Sequence, residues 1–533
     1  MFRTATIASL VVMFMAASGC GGAGVAVTPS GLGNVLQGTT VQFTAQVVGR
    51  SNHAVVWSVR EGSAGGTIDS TGLYTAPSAA GTFHVVATSQ ADPKASGMAS
   101  VEVPALTVFI SPAAETLRIG GQRQFGGFAN AANQNVAWKL EEGAAGGTIT
   151  ADGLYAAPVT TGTFHVSATA VFNTNVSTTA PVTIVTTGFA SISDMAIARS
   201  GHTATLLLDG RVLVAGGTMD TMHSAELFAP ATSSFSPASG MLHVRAGHCA
   251  ALLLAGKVLI VGGGDSNGAL FKTAELFDPA TQNFTATGDL NQARTGATAT
   301  LLPGGKVLIA GGLDSGGALL STAELYDPAT GSFSVTGNMH SPRAQHTATL
   351  LTNGKVLLVG SSRATADAEL FDPATGLFTA TGSLTKARAH HTATLVQGGK
   401  VLVLGGDAAG LSLDSVEIYD PVTETFKTAG KLEVPRASHS ATLLPSGVVL
   451  VAGGYSRGFD GDGQPFFGTM FAAELINPTT FASTPGASLG GSRAEHVATI
   501  LNNGQVLVTG GRSGSGSSFR TSVASLASAE LYK

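Results

Sequence analysis

The sequence predicts an all-β chain: two small antiparallel sandwich modules, then a ring of seven four-stranded units. Three observations predict it. The 533 residues include 70 Gly and only 11% charged residues, with a 44% hydrophobic fraction, which suits short strands and tight turns. A segment near the N-terminus recurs with a period of 81 residues. A second motif, led by arginine, occurs seven times after residue 187, at spacings of 46, 49, 49, 45, 48 and 57. A net charge of −5 provides no basic footprint, so nucleic acid is not an expected partner.

Residues 1–19 read as an export signal. Arg3 supplies the positive start, Ile7 to Ala17 the apolar run, and Ala17, Ser18 and Gly19 the small residues before Cys20. This stretch resembles the lipobox of bacterial lipoproteins. The resemblance implies cleavage before Cys20 and attachment of diacylglycerol to its sulfur, at the head of a short linker, 20–23. The expected location is the cell envelope or cell surface. With Gly21 following and no Asp retention signal, it is the outer membrane in a cell that has one. Past residue 20 no apolar run is long enough to span a bilayer. The other cysteine, Cys249, is far away in the chain and falls inside the later repeat, so no disulfide is expected.

The 81-residue repeat defines modules at 24–104 and 105–186. Val56-Trp57-Ser58 returns as Ala137-Trp138-Lys139, and Gly81-Thr82-Phe83-His84-Val85 as Gly162-Thr163-Phe164-His165-Val166. Short alternating runs between turn residues indicate sandwiches, with each tryptophan expected to pin a core. The stretch from Gly72-Leu73-Tyr74 to Pro77, repeated from Gly153 to Pro158, resembles bacterial Ig-like domains of group 2. That resemblance implies spacers.

The third region, 187–533, repeats Arg-x-x-His-x-Ala-Thr-Leu-Leu, a turn, Lys-Val-Leu-Val-x-Gly-Gly, a variable link, Ala-Glu-Leu-Phe-Asp-Pro-Ala-Thr-Gly, and a last short strand. Two-residue turns such as Asp209-Gly210 and Asn353-Gly354 join the first two strands of a unit. Proline presets the turn between the third and fourth. Four strands every ~49 residues match propeller blades. The repeated Gly-Gly resembles the kelch repeat of galactose oxidase-like central domains, although unit four has Gly360-Ser361 and the kelch tryptophan is missing. The chain ends on a third strand, Ala529 to Lys533, while Phe189 to Met195 aligns with a fourth. The expectation is a seven-bladed kelch-type β-propeller closed by an N-terminal strand, with no further domain after it.

Residues present in every unit serve the unit; a site breaks the symmetry. The seven Arg (Arg199 to Arg493) and seven Glu (Glu226 to Glu530) are therefore expected to pair structurally. The repeated histidines, replaced once by Ala297, are expected to bond neighbouring blades and not a metal. No cofactor or metal is expected. The copper radical oxidase chemistry that the resemblance raises needs two tyrosines, a cross-linked cysteine and two histidines. Tyr74, Tyr155, Tyr326, Tyr419 and Tyr532 belong to repeat motifs, and only Tyr455 is free of one.

Variable links are where a scaffold carries recognition. The links between second and third strands are longest in units six and seven. The candidate binding residues are Tyr455, Arg457, Phe459, Asp460, Asp462, Phe466, Phe467, Arg512, Phe519 and Arg520, with Arg363 in the short link of unit four. Exposed aromatics and arginines are the expected makings of a binding spot. No catalytic residue is assigned. The expected function is binding of a protein or glycan by a monomeric, lipid-anchored propeller; the alternative is a secreted carbohydrate-active hydrolase or lyase, which a buried asymmetric carboxylate pair would favour.

Overall fold

A computed structural model describes residues 24–217, 223–363, 365–459, 465–516 and 524–533. The signal segment with Cys20, and the candidates Asp460, Asp462, Phe519 and Arg520, lie outside the described residues. The described chain is all-β apart from two single 3-10 turns, Gly62–Gly65 and Gly143–Gly146. None of its helices is long and apolar enough to cross a membrane.

The two N-terminal units repeat one plan. In the first, a four-stranded sheet orders Gly31–Leu32, Ser96–Val103, Gly81–Ser89 and Val55–Val59, and a three-stranded sheet orders Thr40–Gln42, Leu73–Thr75 and Thr67–Ile68. The second unit copies both sheets. The core is centred differently from the sequence expectation. Tyr74 and Tyr155 are fully buried, and each hydroxyl donates to a carbonyl, of Gly65 and Gly146. Trp57 and Trp138 only pack against the core from its rim. The tyrosine wins the centre because its one polar atom finds an acceptor there.

Residues 189–532 form seven antiparallel four-stranded sheets. Sheet one orders Thr203–Leu206, Val212–Ala215, Ala225–Ala229 and Ser234–Pro237. The first strands of the seven neighbour one another in a closed cycle. Every second strand, such as Val212–Ala215 or Val401–Leu404, is buried at all four positions. A strand sandwiched between two neighbouring sheets has no solvent face, so it reads as a continuous apolar run and not as alternation. Sheet seven takes Val497–Ile500, Val506–Thr509 and Ala529–Tyr532 from the end of the chain and Phe189–Ser191 from before sheet one.

The second N-terminal unit docks on this ring. Arg123 meets Glu115 at 2.7 Å, out of line for a hydrogen bond, and both are buried. Its guanidinium also donates to the Leu489 carbonyl and lies 3.8 Å above the Phe471 ring. The matching positions of the first unit are the apolar Leu32 and Val41, so this contact belongs to the second copy alone.

Candidate binding site

The invariant polar residues knit the sheets. Each leading arginine pairs with its sheet's glutamate: Arg199–Glu226, Arg245–Glu275, Arg294–Glu324, Arg343–Glu369, Arg388–Glu417, Arg436–Glu474 and Arg493–Glu530. Arg245 and Glu275 have no exposure; the arginine also donates to the Gly262 carbonyl, and the glutamate accepts from the backbone of Leu242 and His243. The pair therefore fixes the link by which the chain enters the sheet.

The histidines bond between sheets. His248 shares a hydrogen bond with Thr203, His346 with Thr298, His391 with Thr347, His439 with Thr392, and His496 with Ser440. Where Ala297 replaces the histidine, its partner position carries Cys249 in place of threonine, so both halves of the bond are absent together. His202 faces Val497 at the threonine position and bonds instead to Thr509, the cross-strand neighbour of Val497. Burial pushes His202, His248, His346, His391 and His496 down to about 3, so these rings are neutral at ordinary pH.

Beside the links, two positions vary from sheet to sheet. One is the second residue after each leading arginine: Gly201, Gly247, Gly296, Gln345, His390, Ser438 and Glu495. All seven have a left-handed backbone, with φ between 49° and 65°. Five backbone hydrogen bonds link them along two arcs, Gly247 to Gly201, Gly296 to Gly247 and Gln345 to Gly296 on one, Ser438 to His390 and Glu495 to Ser438 on the other, each N–H donating to the preceding carbonyl. This belt crosses from sheet to sheet at one end of the ring. Glycine takes such a backbone freely, whereas other residues pay roughly 1–2 kcal/mol. Sheets one to three have glycine; sheets four to seven accept the strain and place a polar side chain there.

The other position is the first residue after the Gly-Gly: Asp407, Tyr455 and Arg512 in sheets five, six and seven. Each pairs by a backbone bridge with the residue just before the belt: Asp407 with Ala389, Tyr455 with Ala437, Arg512 with Ala494. The two positions therefore meet. His390 Nδ1 lies 3.0 Å from Asp407, the Tyr455 hydroxyl donates to the other Asp407 oxygen at 2.7 Å, and Arg512 lies 3.2 Å from Glu495. Burial raises the Asp407 carboxyl, but the His390 ring, the Tyr455 hydroxyl and the nearby Arg457 charge outweigh it and hold the group below the usual carboxylate range. Burial and the Asp407 charge raise the Tyr455 phenol far above its ordinary value.

The links of these three sheets join into a wall. Tyr455–Phe459 pairs with Pro465–Thr469, which pairs onward with Ser515–Gly516 of sheet seven, and the Arg457 N–H donates to Ser412 of sheet five. The wall stands over the side-chain-bearing part of the belt. The links of sheets two and three are short turns beside glycine.

The sequence-predicted residues divide on this wall. Tyr455 and Phe467 are not exposed contacts: at 4% and 5% exposure they form a buried cluster with Ala437 and Ala494, rings 5.2 Å apart. They hold the hairpin down because the small alanines beneath leave room for them. Arg457 and Arg512 are half-buried, and Phe459, Phe466 and Arg363 are exposed, Arg363 away from the wall on sheet four. Sequence reasoning missed Gln345, His390, Asp407, Ser438 and Glu495. Their signal was present as variation at two fixed places inside an otherwise constant repeat.

Two shallow grooves lie among turns such as Asp209–Arg211, lined by turn residues of the kind every sheet has, and they bring no symmetry-breaking chemistry together.

A copper radical site does not fit these residues. Tyr326, Tyr419 and Tyr532 pack at an angle against Phe333, Phe426 and Phe189. Cys249 is held in sheet two, its thiol donating to the Val261 carbonyl and pushed up by burial to about 12. Among the described residues no three His, Cys, Asp or Glu groups converge as metal ligands.

Comparison with known proteins agrees with the architecture. The KLHDC2/KLHL20/DRC7 Kelch-repeats domain matches in two overlapping registers, residues 201–406 and 247–454. No curated protein sequence matches significantly. Among solved structures, a fungal alcohol oxidase of the AA5 family, determined in complex with copper, is similar at a TM-score of 0.51 and 16% identity, over 65% of this chain and 75% of that one. At that identity the likeness is one of fold. The C-terminal region thus has a β-propeller fold, and residues 201–454 of it match a kelch-repeat model.

Proposed function

We propose that this chain is a cell-envelope binding protein: a seven-bladed kelch propeller, residues 187–533, that holds a protein or glycan at the walled end of its ring, carried on two Ig-like spacers at 24–104 and 105–186 and anchored through lipid on Cys20. The observation that carries the binding reading is the belt. Four non-glycine residues occupy a left-handed backbone that three glycines occupy without strain. The turns between third and fourth strands also hold non-glycine left-handed residues, Ser233, Gln282, Glu424 and Phe481. The belt differs from them because its side chains meet others that vary between sheets, His390 with Asp407 and Glu495 with Arg512. Strained residues gathered with such groups mark a place where side chains are used. The kelch match supports binding by the propeller. The hydrolase alternative would be favoured by unmatched paired carboxylates, but among the described residues each wall carboxylate faces a basic side chain, Asp407 with His390 and Glu495 with Arg512.

The test is affinity capture from native envelope extract with the soluble chain, residues 21–533, and with the same chain carrying a shortened 456–468 hairpin. A ligand retained by the first and lost by the second supports the reading. Equal retention, or none, removes the wall as the site. Anchoring is tested separately: Cys20→Ala is expected to move the protein from the membrane fraction to the soluble one.

A further inference from the structure

We propose that the walled mouth takes a carboxylate-bearing sugar of a polysaccharide, with Arg457 as its charge partner; this rests on the binding reading above. Among the described residues the wall holds three basic side chains, and two are engaged. Arg512 faces Glu495 and donates to Ser200, and His390 is held through Nδ1 by Asp407. Arg457 is different. It is half-buried, yet its guanidinium makes no hydrogen bond or ion pair among the described residues. Its nearest ring contacts, Tyr455 and Phe467, lie 5.8 and 6.0 Å away, at the long end of cation–π attraction. Five N–H donors thus lose part of their hydration with no acceptor in exchange among the described residues.

Asp407 feels this charge but cannot satisfy it, because its two oxygens already serve His390 and Tyr455. An acceptor from outside completes the arrangement, and a planar carboxylate fits the guanidinium fork with two parallel bonds. His390 Nε2 has no hydrogen-bond partner among the described residues and is free for a hydroxyl. Strand alternation puts Phe459 on the same side of the hairpin as Arg457, and it is 63% exposed. A carboxylate, hydroxyls and an apolar C–H face on one small unit describe a uronic-acid-type sugar. A bare anion would leave the phenylalanine unused.

The test is calorimetric titration of residues 21–533 with oligogalacturonate, with a neutral maltooligosaccharide of equal length, and with poly-glutamate. Oligogalacturonate is expected to bind, to weaken with added salt, and to lose about tenfold or more in affinity in Arg457→Gln, with Arg457→Lys intermediate. An unchanged melting temperature in the variants verifies that they fold. The assignment is overturned if oligogalacturonate fails to bind, if Arg457→Gln binds it as tightly, or if the neutral sugar or poly-glutamate binds equally well. Envelope capture separates the two readings. If capture depends on the hairpin but not on Arg457, only the sugar assignment falls; if it does not depend on the hairpin, both fall.

Discussion

At Arg245 a guanidinium with no exposure faces a carboxylate with no exposure, Glu275, at 2.6 Å. Removing one partner leaves a buried charge with nothing to offset it. We therefore expect Glu275→Ala to destabilise the propeller by about 3–5 kcal/mol, read as a shift in its urea unfolding transition. The control is Lys400→Ala. Lys400 pairs with Asp420 near the surface, with side chains 46% and 26% exposed, and its loss is expected to cost about 1 kcal/mol or less. The buried histidines predict a pH dependence. Their folded pKa values, about 3 in five of the rings, lie below the ordinary histidine value of 6.5, so the unfolded chain binds more protons at acidic pH. Their contribution to stability is complete above roughly pH 6.5 and is lost as pH falls towards 3, at up to about 1.4 kcal/mol per pH unit for each ring. Sheets two and three already meet without this bond, through Cys249 and Ala297. Transplanting that pair, as Thr203→Cys with His248→Ala, is expected to flatten the acid limb of the melting temperature against pH; an unchanged slope would mean that His248 is not buried neutral.

Among the elements, the Gly-Gly after each second strand turns the chain into its link by a backbone that needs φ near +64° and +77° at Gly216 and Gly217. A methyl on Gly263, the second glycine of sheet two, would sit 2.7 Å from the Ala246 carbonyl oxygen. Gly263→Ala is thus expected to lower stability by about 2 kcal/mol or more, through strain and collision together. In sheet four Ser361 takes the second position without a positive φ, so Ser361→Gly is expected to change the melting temperature little. The strands were legible in the sequence because burial imposes its own pattern on them: Lys-Val-Leu-Val reads as continuous because both faces are covered. The Arg–Glu and His–Thr contacts were legible because they recur. The wall was legible only in part. Its length showed where the links of sheets six and seven grow. Nothing local in Tyr455 or Phe467 distinguishes a buried prop from an exposed contact; that depends on Ala437 and Ala494 beneath them. His390 and Asp407 lie 17 residues apart, and only the bridge between Ala389 and Asp407 brings them together.

For the whole molecule, three residues from before sheet one complete the last sheet of the ring. Phe189–Ser191 lies antiparallel to Ala529–Tyr532, Phe189 packs 5.0 Å from the Tyr532 ring, and Gly188 and Lys533 exchange both backbone hydrogen bonds just beyond. Ladder alternation then makes Ala190 and Leu531 the next hydrogen-bonded pair, since Ile192 N–H donates to Ala529 one step further on. The Ser191 N–H points away from the ladder. This gives a test within the full chain. Ala190→Pro removes a ladder donor and is expected to destabilise the propeller by about 3 kcal/mol, whereas Ser191→Pro, one residue along, is expected to cost much less. Opening the seam also exposes the edge of Ala529–Tyr532, a template for pairing with another chain. Light scattering of Ala190→Pro should therefore show dimers or larger species that wild type and Ser191→Pro do not form. Matching melting temperatures and masses for all three proteins would mean that this strand does not close the ring, and that the seventh sheet holds with three strands.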